Sequence, residues 1–372
     1  MKKVLIVIDS LGSGGAQNQA TILAVELKKS GYDVTVFTYF ENSFFKSRLE
    51  KENIPVISFT KQGRLGINVI LNLIRTIKGR KIDVAISFLN TPNFYLAVSK
   101  CFVKSFKAII SYRSKTDFES ISILSKGIDV FSNHCADLIV TNSFHEKDNW
   151  ASRYSALKNK LFTIYNAVYP STTTSLRTRS NNLLSVGSVS PLKNGKVVVD
   201  ALNILINEYK IETTLHWVGR HNSGLAGSTQ YFSEMSERIS KYKLNSNWNW
   251  VGQQDDLQEY YIMADALIHA STTEGLPNVV GEAQMEACPV VISNILDHPR
   301  LVRNEVDGFL FDPTDAHDLA MKIKAIYDLP DSDYQNMSFE SKEQALKLYS
   351  INTFTNSFIE LIETNKINSS HN

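Results

Sequence analysis

The sequence predicts an α/β protein built of two doubly wound, Rossmann-like domains in tandem, and three observations carry that expectation. Short β-branched runs alternate with amphipathic helical stretches along nearly all of the 372 residues, the pattern of parallel sheets covered by helices on both faces. A chain of this length exceeds one ordinary core and suits two domains of roughly 150 to 200 residues. A Ser-, Thr- and Asn-rich segment poor in apolar residues, YPSTTTSLRTRSNN from Tyr169, divides the pattern as a linker would.

In the first half, strands are expected at VLIVI from Val4, VTVFT from Val34, VIS from Val56, VAISF from Val84, AIISY from Ala108 and LIVTN from Leu138. In the second half they are expected at LLSVG from Leu183, TLHWVG from Thr214, ALIHA from Ala266 and VVIS from Val290. Each set repeats strand, loop and helix, the logic of a dinucleotide-binding fold. Two late helices are expected around Ser338 to Leu348 and Ile351 to Glu363. The domains are therefore placed at 1–170 and 181–348, with a C-terminal helix at 351–366 packing back on the first.

With 43% hydrophobic and 21% charged residues the chain is globular rather than disordered or collagen-like. Cys101, Cys135 and Cys288 are odd in number, far apart in sequence and outside any C-x-x-C pattern, which argues against a disulfide framework or zinc site and suits a reducing cytoplasm. The apolar run at the N-terminus lasts only from Val4 to Ile8 and stops at Asp9, too short for a secretion signal. No stretch approaches the ~18 uncharged apolar residues of a membrane span. A soluble, cytoplasmic protein is expected.

Charge is divided unevenly. Met1 to Ser180 carries 25 Lys and Arg against 13 Asp and Glu, a balance of +12; the remainder carries 14 against 25, a balance of −11. A basic half suits an anionic surface or ligand, such as lipid headgroups or a diphosphate, while attraction between the two halves is the plainer alternative. Within that half, KQGRLGINVILNLIRTIKGRK from Lys61 to Lys81 sets Leu65, Val69, Leu73 and Ile77 at four-residue spacing with cations at both ends. The stripe either docks on an anionic membrane, peripherally, or packs into the core.

Three loops point to chemistry. The first strand runs through Asp9 into LGSGGAQ, and Gln17 to Lys29 has helical periodicity, so Gly12, Gly14 and Gly15 sit at a strand-to-helix turn where backbone N–H groups accept a phosphate or simply turn the chain. The spacing is not G-x-G-x-x-G. The second loop, STTEGLPNVVGEAQMEACPVV from Ser271, is sharper. Glu274 precedes a helix that begins near Asn278, and Glu282 lies one turn inside it, so both carboxylates border the helix N-terminus. The N–H groups of Gly275, Leu276, Asn278 and Val279 would hold a pyrophosphate and the carboxylates would accept hydrogen bonds from hydroxyls. The plainer role for Glu282 is a carboxylate favourable to the helix dipole. The third loop, in LLSVGSVSPLKNGK, presents Lys193 at a strand end, as a phosphate clamp or a solvated lysine.

These motifs resemble glycosyltransferase family 4, retaining enzymes of the GT-B fold, in which two Rossmann-like domains face each other across a cleft. The likeness covers nearly the whole chain and rests on GSGGAQ, TIYNAV, VGSVSPLKN and above all EGLPNVVGEA with the trailing PVV and DGFLF. The resemblance implies that Glu282 binds ribose hydroxyls, that Glu274 contacts the donor sugar with the N–H groups after it, and that Lys193 neutralises the diphosphate. It further implies that Gly15, next to Gly14, lets the first domain close on the donor, and that the base lies near the loops after Trp217 and Gly252. Asn166 matches a position near the hinge and reads as structural.

The chain departs from the family pattern in three places. Ser188 stands where an arginine usually accompanies the lysine, with Arg220 as the candidate replacement. Ala287-Cys288 before Pro289 stands where glycine is common. Arg113 occupies the place of an acceptor-side histidine, so acceptor contacts do not transfer.

The expected activity is transfer of a hexose or N-acetylhexosamine from a nucleotide-diphosphate sugar, UDP-sugar favoured, to a saccharide or lipid-linked acceptor in surface polysaccharide assembly. No cofactor and no metal are expected, because no D-x-D pair lies in a donor loop and Asp331-Ser-Asp333 reads as a cap or turn. No nucleic-acid partner is expected. The competing classes are a nucleotide-sugar epimerase of the same architecture, which needs acid–base groups that His216, His221 and His269 do not obviously supply, and a non-catalytic nucleotide-sugar binder. A dehydrogenase is more distant still, for want of the glycine fingerprint.

Overall fold

The computed structural model describes residues 1–113, 122–171, 177–221 and 227–367. The chain divides into two compact units, one formed by Met1–Ala167 together with the stretch from Ile351, the other by Val168–Ser350.

The first unit begins with β1 (Lys3–Val7), α1 (Gly15–Lys29), β2 (Asp33–Thr38), α2 (Lys46–Lys51), β3 (Val56–Ser58) and α3 (Ile67–Arg80). It continues with β4 (Val84–Phe88), α4 (Asn90–Phe102), β5 (Lys107–Tyr112), α5 (Ile123–Cys135), β6 (Leu138–Thr141), α6 (Phe144–Arg153) and β7 (Leu161–Thr163). All described pairings are parallel, in the order β3-β2-β1-β4-β5-β6-β7. Side chains alternate across a strand, so β1 feeds two cores. Val4 and Ile6 join Ile22 and Leu23 of α1 on one face, while Leu5 and Val7 join Val69, Leu73 and Ile77 of α3 on the other.

The second unit runs β8 (Asn182–Val186), α7 (Gly195–Asn207), β9 (Thr214–Val218), α8 (Ser228–Lys241), β10 (Trp248–Gly252), α9 (Gln258–Met263) and β11 (Ala266–His269). Then come α10 (Asn278–Met285), β12 (Val290–Ser293), α11 (His298–Leu301), β13 (Gly308–Phe311), α12 (Ala316–Asp328) and α13 (Asp331–Tyr349). Its sheet is also parallel, ordered β10-β9-β8-β11-β12-β13. Counted from each unit's first strand, both sheets contain the 3-2-1-4-5-6 order of a doubly wound fold.

The last helix, α14 (Ile351–Thr364), belongs to the first unit. Its apolar face sends Phe354, Phe358, Leu361 and Ile362 into the core shared with α1, and Lys107 Nζ donates to the Ile362 carbonyl at 2.7 Å. Truncating a fully buried ring such as Phe358 costs about 3 to 5 kcal/mol.

Several local expectations change. Strands β7, β10 and β13 join the ten anticipated ones among the described residues. Helix α13 begins at Asp331, so Asp331 and Asp333 occupy its first turn rather than a preceding turn, where carboxylates suit the positive end of the helix dipole. In the segment from Lys61 to Lys81, Val69, Leu73 and Ile77 are buried and only Leu65 of the stripe is exposed, so the stripe is core. Residues 172–176 of the interdomain segment lie outside the described residues, but Arg177 donates to the Tyr261 and Glu286 carbonyls at 3.0 and 3.2 Å, anchoring that end to the second unit. Cys101 and Cys135, distant in sequence, place their sulfurs 3.5 Å apart.

Candidate active site

In a doubly wound sheet, ligands bind outside the carboxyl ends of the two strands where the winding reverses. In the second unit these are β8 and β11. The loop after β8 ends in a short turn of helix, Pro191–Lys193, and the loop after β11 runs into α10. A hydrogen bond from the Thr272 N–H to the Leu192 carbonyl, 2.9 Å, ties the two loops together.

Across that seam Lys193 Nζ donates to Glu274 Oε1 in an ion pair whose side chains retain 25% and 22% exposure. Ser271 Oγ donates to the same oxygen at 3.1 Å. Gly187 makes room for the lysine: its φ is +142°, and a β-carbon there would lie 2.9 Å from Lys193 Cε. Expectation had placed Lys193 and Glu274 on separate loops serving one ligand. The structure puts them in direct contact.

Behind the pair lie two histidines. His269, the last residue of β11, is buried with Nε2 3.7 Å from Glu274 Oε1, beyond hydrogen-bond range. Its ring meets His298 edge-on at 5.5 Å between centroids. His298 Nδ1 donates to the Ser293 carbonyl at 2.7 Å, which fixes its tautomer. Burial, with Lys193 and His298 beside it, holds His269 well below the ordinary imidazole range, and burial pushes His298 down to about 4. Both rings are neutral at physiological pH.

Helix α10 opens at Asn278 after Pro277, which has no side-chain oxygen to cap it. Leu276 is buried, while Gly275, Asn278 and Val279 are half-buried around this end. Glu282, one turn on, accepts a 2.8 Å hydrogen bond from the Tyr261 hydroxyl. Burial raises its pKa, partly offset by that bond. Gly281 between them touches α13: a β-carbon there would lie 2.9 Å from the Tyr349 ring.

Beside Gly187 a cavity of about 280 Å³ opens at the ends of β8, β9 and β10, lined by Ser188, Gly219, Arg220, Gln253 and Leu257 among others. Arg220 and Ser188 thus share one cavity, and Arg220 Nε donates to Gln253 Oε1 at 2.6 Å. Trp217 is buried beneath, its Nε1 donating to the Gly187 carbonyl at 2.8 Å.

In the first unit, Gly14 is the extended residue before α1 and Gly15 opens that helix. A β-carbon on Gly14 would lie 2.2 Å from Gln17 Oε1, and Gln17 Nε2 donates to Asp9 at 2.9 Å. Arg113 follows β5 with its guanidinium among the rings of Phe88, Phe354 and Phe358. It donates to the Ile164 carbonyl and Asn166 Oδ1 at 3.1 and 3.0 Å, and burial lowers its pKa to about 9.

Sequence reasoning missed His298, Ser271, Tyr261 and Gln253, and set His269 aside as buried or superficial. Ser271 and His269 were within reach, because they flank the end of β11 three and five residues before Glu274. His298 and Tyr261 come from elements whose approach only the fold reveals. Of the other histidines, His216 bonds Asn182 at 2.9 Å and His221 stacks on Phe232, neither touching the ion pair in any described contact.

A cation and a helix N-terminus suit an anion, and carboxylates nearby suit hydroxyls. On two parallel, doubly wound sheets this is the architecture of the GT-B class. The crystal structure of Anabaena HepE in complex with UDP superposes with a TM-score of 0.80 at 20% identity, covering 98% of this chain and all of that one.

Two family models match in succession, Glycosyltransferase Family 4 over residues 13–172 and Glycosyl transferases group 1 over residues 173–344. The chain belongs to glycosyltransferase family 4. It is 25% identical to the amylovoran biosynthesis glycosyltransferase AmsD of Erwinia amylovora over 84% of this chain and 86% of that protein. It is 24% identical, over 97% of this chain and 98% of that protein, to a Campylobacter jejuni α-1,4-N-acetyl-D-galactosaminyltransferase named for a diphosphoundecaprenol-linked saccharide acceptor. No helix among the described residues is long and apolar enough to cross a membrane.

Proposed function

We propose that this glycosyltransferase moves a hexose or N-acetylhexosamine, with retention of configuration and without a metal, from a UDP-sugar to a hydroxyl of a lipid-linked saccharide in surface polysaccharide assembly. The observation that carries the reading is the Lys193–Glu274 pair at the reversal point of the second sheet. Lys193 leaves Glu274 for the diphosphate when donor binds. Glu274, freed, accepts from the sugar hydroxyls; Glu282 accepts from the ribose; Arg220 supplies the cation missing at Ser188. The base enters the cavity floored by Gly187 and Gly219.

Transfer requires the departing diphosphate to be stabilised as its charge grows, which the ammonium, once moved from Glu274 on donor binding, and the helix N–H groups do without further reorganisation in the transition state. The bond from the anomeric carbon to the diphosphate oxygen breaks as the bond to the acceptor oxygen forms on the same face. The acceptor's proton goes to the departing phosphate. Glu274 binds rather than attacks, so no glycosyl–enzyme adduct forms on it.

The relatives named for polysaccharide and lipid-linked acceptors support the acceptor class. Membrane contact is assigned to the layer in which α3 packs on α4 and α4 on α5. Toward the starts of α3 and α5, Leu65, Ile67, Leu71, Ile123 and Leu124 are exposed, with Arg64 before α3 and Arg75 and Lys78 along it also exposed, apolar and basic groups suited to anionic lipid.

Thermal stabilisation measured with UDP, GDP, ADP and their sugars tests the donor. UDP at 100 times its Kd contributes about 2.7 kcal/mol, and no response to any nucleotide refutes the reading. Activity lost in EDTA and restored by magnesium or manganese would overturn the metal-free mechanism. Cosedimentation with liposomes that ignores anionic lipid content would remove the membrane assignment.

A further inference from the structure

We propose that Cys101 and Cys135 form a reversible redox couple that closes into a disulfide between α4 and α5. Cys101 is the penultimate residue of α4 and Cys135 the last of α5, and these helices pack along each other. Their sulfurs lie 3.5 Å apart, within sulfur hydrogen-bond range and about 1.5 Å beyond the ~2.05 Å of an S–S bond. Cys101 is exposed and Cys135 partly so, which gives an oxidant access to the pair. Cys288 is buried in the other unit and serves as an internal control.

The chemistry follows thiol–disulfide exchange with a small disulfide such as oxidised glutathione. The Cys101 thiolate attacks one glutathione sulfur, forming a mixed disulfide and releasing one glutathione thiolate. Cys135 then attacks the Cys101 sulfur, the protein disulfide forms, and the second glutathione leaves. Both protein thiols lose a proton, and two electrons pass to the glutathione sulfurs. Burial and the adjacent Cys101 sulfur push the Cys135 thiol up to about 11, while Lys104 and Lys160 pull the other way. Capping Cys101 removes its thiolate charge and leaves those two cations to favour the Cys135 thiolate. The bond would close a loop spanning 34 positions in sequence, restricting the unfolded chain.

The test is equilibration of the full-length reduced protein with oxidised glutathione, acid quenching, unfolding, maleimide labelling and intact-mass analysis. The expected product takes up one label instead of three and, once the labels are subtracted, weighs two hydrogens less than the reduced chain. Its digest contains a Cys101–Cys135 crosslinked peptide, and its melting temperature exceeds that of the reduced form until dithiothreitol is added. Cys101→Ser and Cys135→Ser each yield a glutathione adduct or a free thiol, with no crosslink and no such stabilisation. Wild-type protein carrying glutathione on Cys101 while Cys135 stays free would overturn the proposal, as would a crosslink that persists in either serine variant.

Discussion

Replacing Lys193 by Met keeps most of the side-chain volume and removes the ammonium at the reversal point of the second sheet. In the free protein the ammonium is engaged by Glu274, and that pair, with both partners mostly shielded but not sealed, is worth about 1 kcal/mol. A charge-assisted hydrogen bond to a phosphate contributes about 1.5 to 3 kcal/mol. Donor binding exchanges one for the other, so the net loss in UDP affinity is about 0.5 to 2 kcal/mol, roughly two- to thirty-fold in Kd. Turnover suffers more, because the phosphate charge grows in the transition state. Loss of a preset donor there costs about 2.7 to 4 kcal/mol, or roughly 100- to 1,000-fold in kcat. Calorimetric titration with UDP and steady-state rates with the UDP-sugar measure the two quantities separately. Glu274→Gln supplies the counterpart: it frees Lys193, so UDP binds at least as tightly while sugar transfer falls. Equal Kd and kcat in Lys193→Met and wild type would refute the clamp, and a purely structural ion pair would lower the melting temperature while leaving Kd and kcat untouched.

Three further outcomes follow from local geometry. Gly281→Ala should lower stability by about 1 kcal/mol in denaturant titration, because a β-carbon 2.9 Å from the buried Tyr349 ring overpacks the α10–α13 contact by more than the gain in helix propensity. Ala287→Gly should raise it by about 0.5 kcal/mol, since Ala287 adopts φ +58° and relief of left-handed strain slightly exceeds the added freedom of the unfolded chain. His298, neutral when folded and charged when unfolded in acid, contributes stability that is full above its ordinary pKa of 6.5 and is lost as pH falls through about 4. Unfolding free energies across that window should drop by about 3 kcal/mol, and His298→Gln should flatten this part of the profile.

Much of the fold was legible because parallel sheets bury both faces and write themselves as continuous apolar runs, as in Val4 to Ile8 and Val290 to Ser293. The three unanticipated strands lack that signature. β7 (Leu161–Thr163) and β13 (Gly308–Phe311) hold no run of β-branched residues, and β10 interrupts its tryptophans with Asn249. The start of α13 was hidden because Asp331 and Asp333 suit a turn as well as a helix's first turn, and nothing local decides between them. At the site, Lys193, Glu274 and Glu282 stand out since glycines and a proline mark the loops before their helices. What spacing cannot supply is contact between distant segments: the lysine resting on the glutamate, Tyr261 reaching Glu282, His298 behind His269, or two cysteines meeting across helix ends. The Lys61 to Lys81 stripe shows the opposite failure, a periodicity that serves core and membrane equally until its neighbours are known.

The assignment of α14 to the first unit has a consequence for how the protein is made. Nascent chains emerge from the N-terminus, yet the hydrophobic layer over α1 stays open until Phe354, Phe358, Leu361 and Ile362 arrive. During synthesis the earlier-made sheet must wait, with apolar surface uncovered, while the whole of its neighbour is translated, a period in which chaperone capture or aggregation competes with folding. A fragment cut at the boundary near Ala167 would inherit that exposure permanently. Restoring α14 as a separate peptide or a fused tail should convert such a fragment from insoluble to soluble.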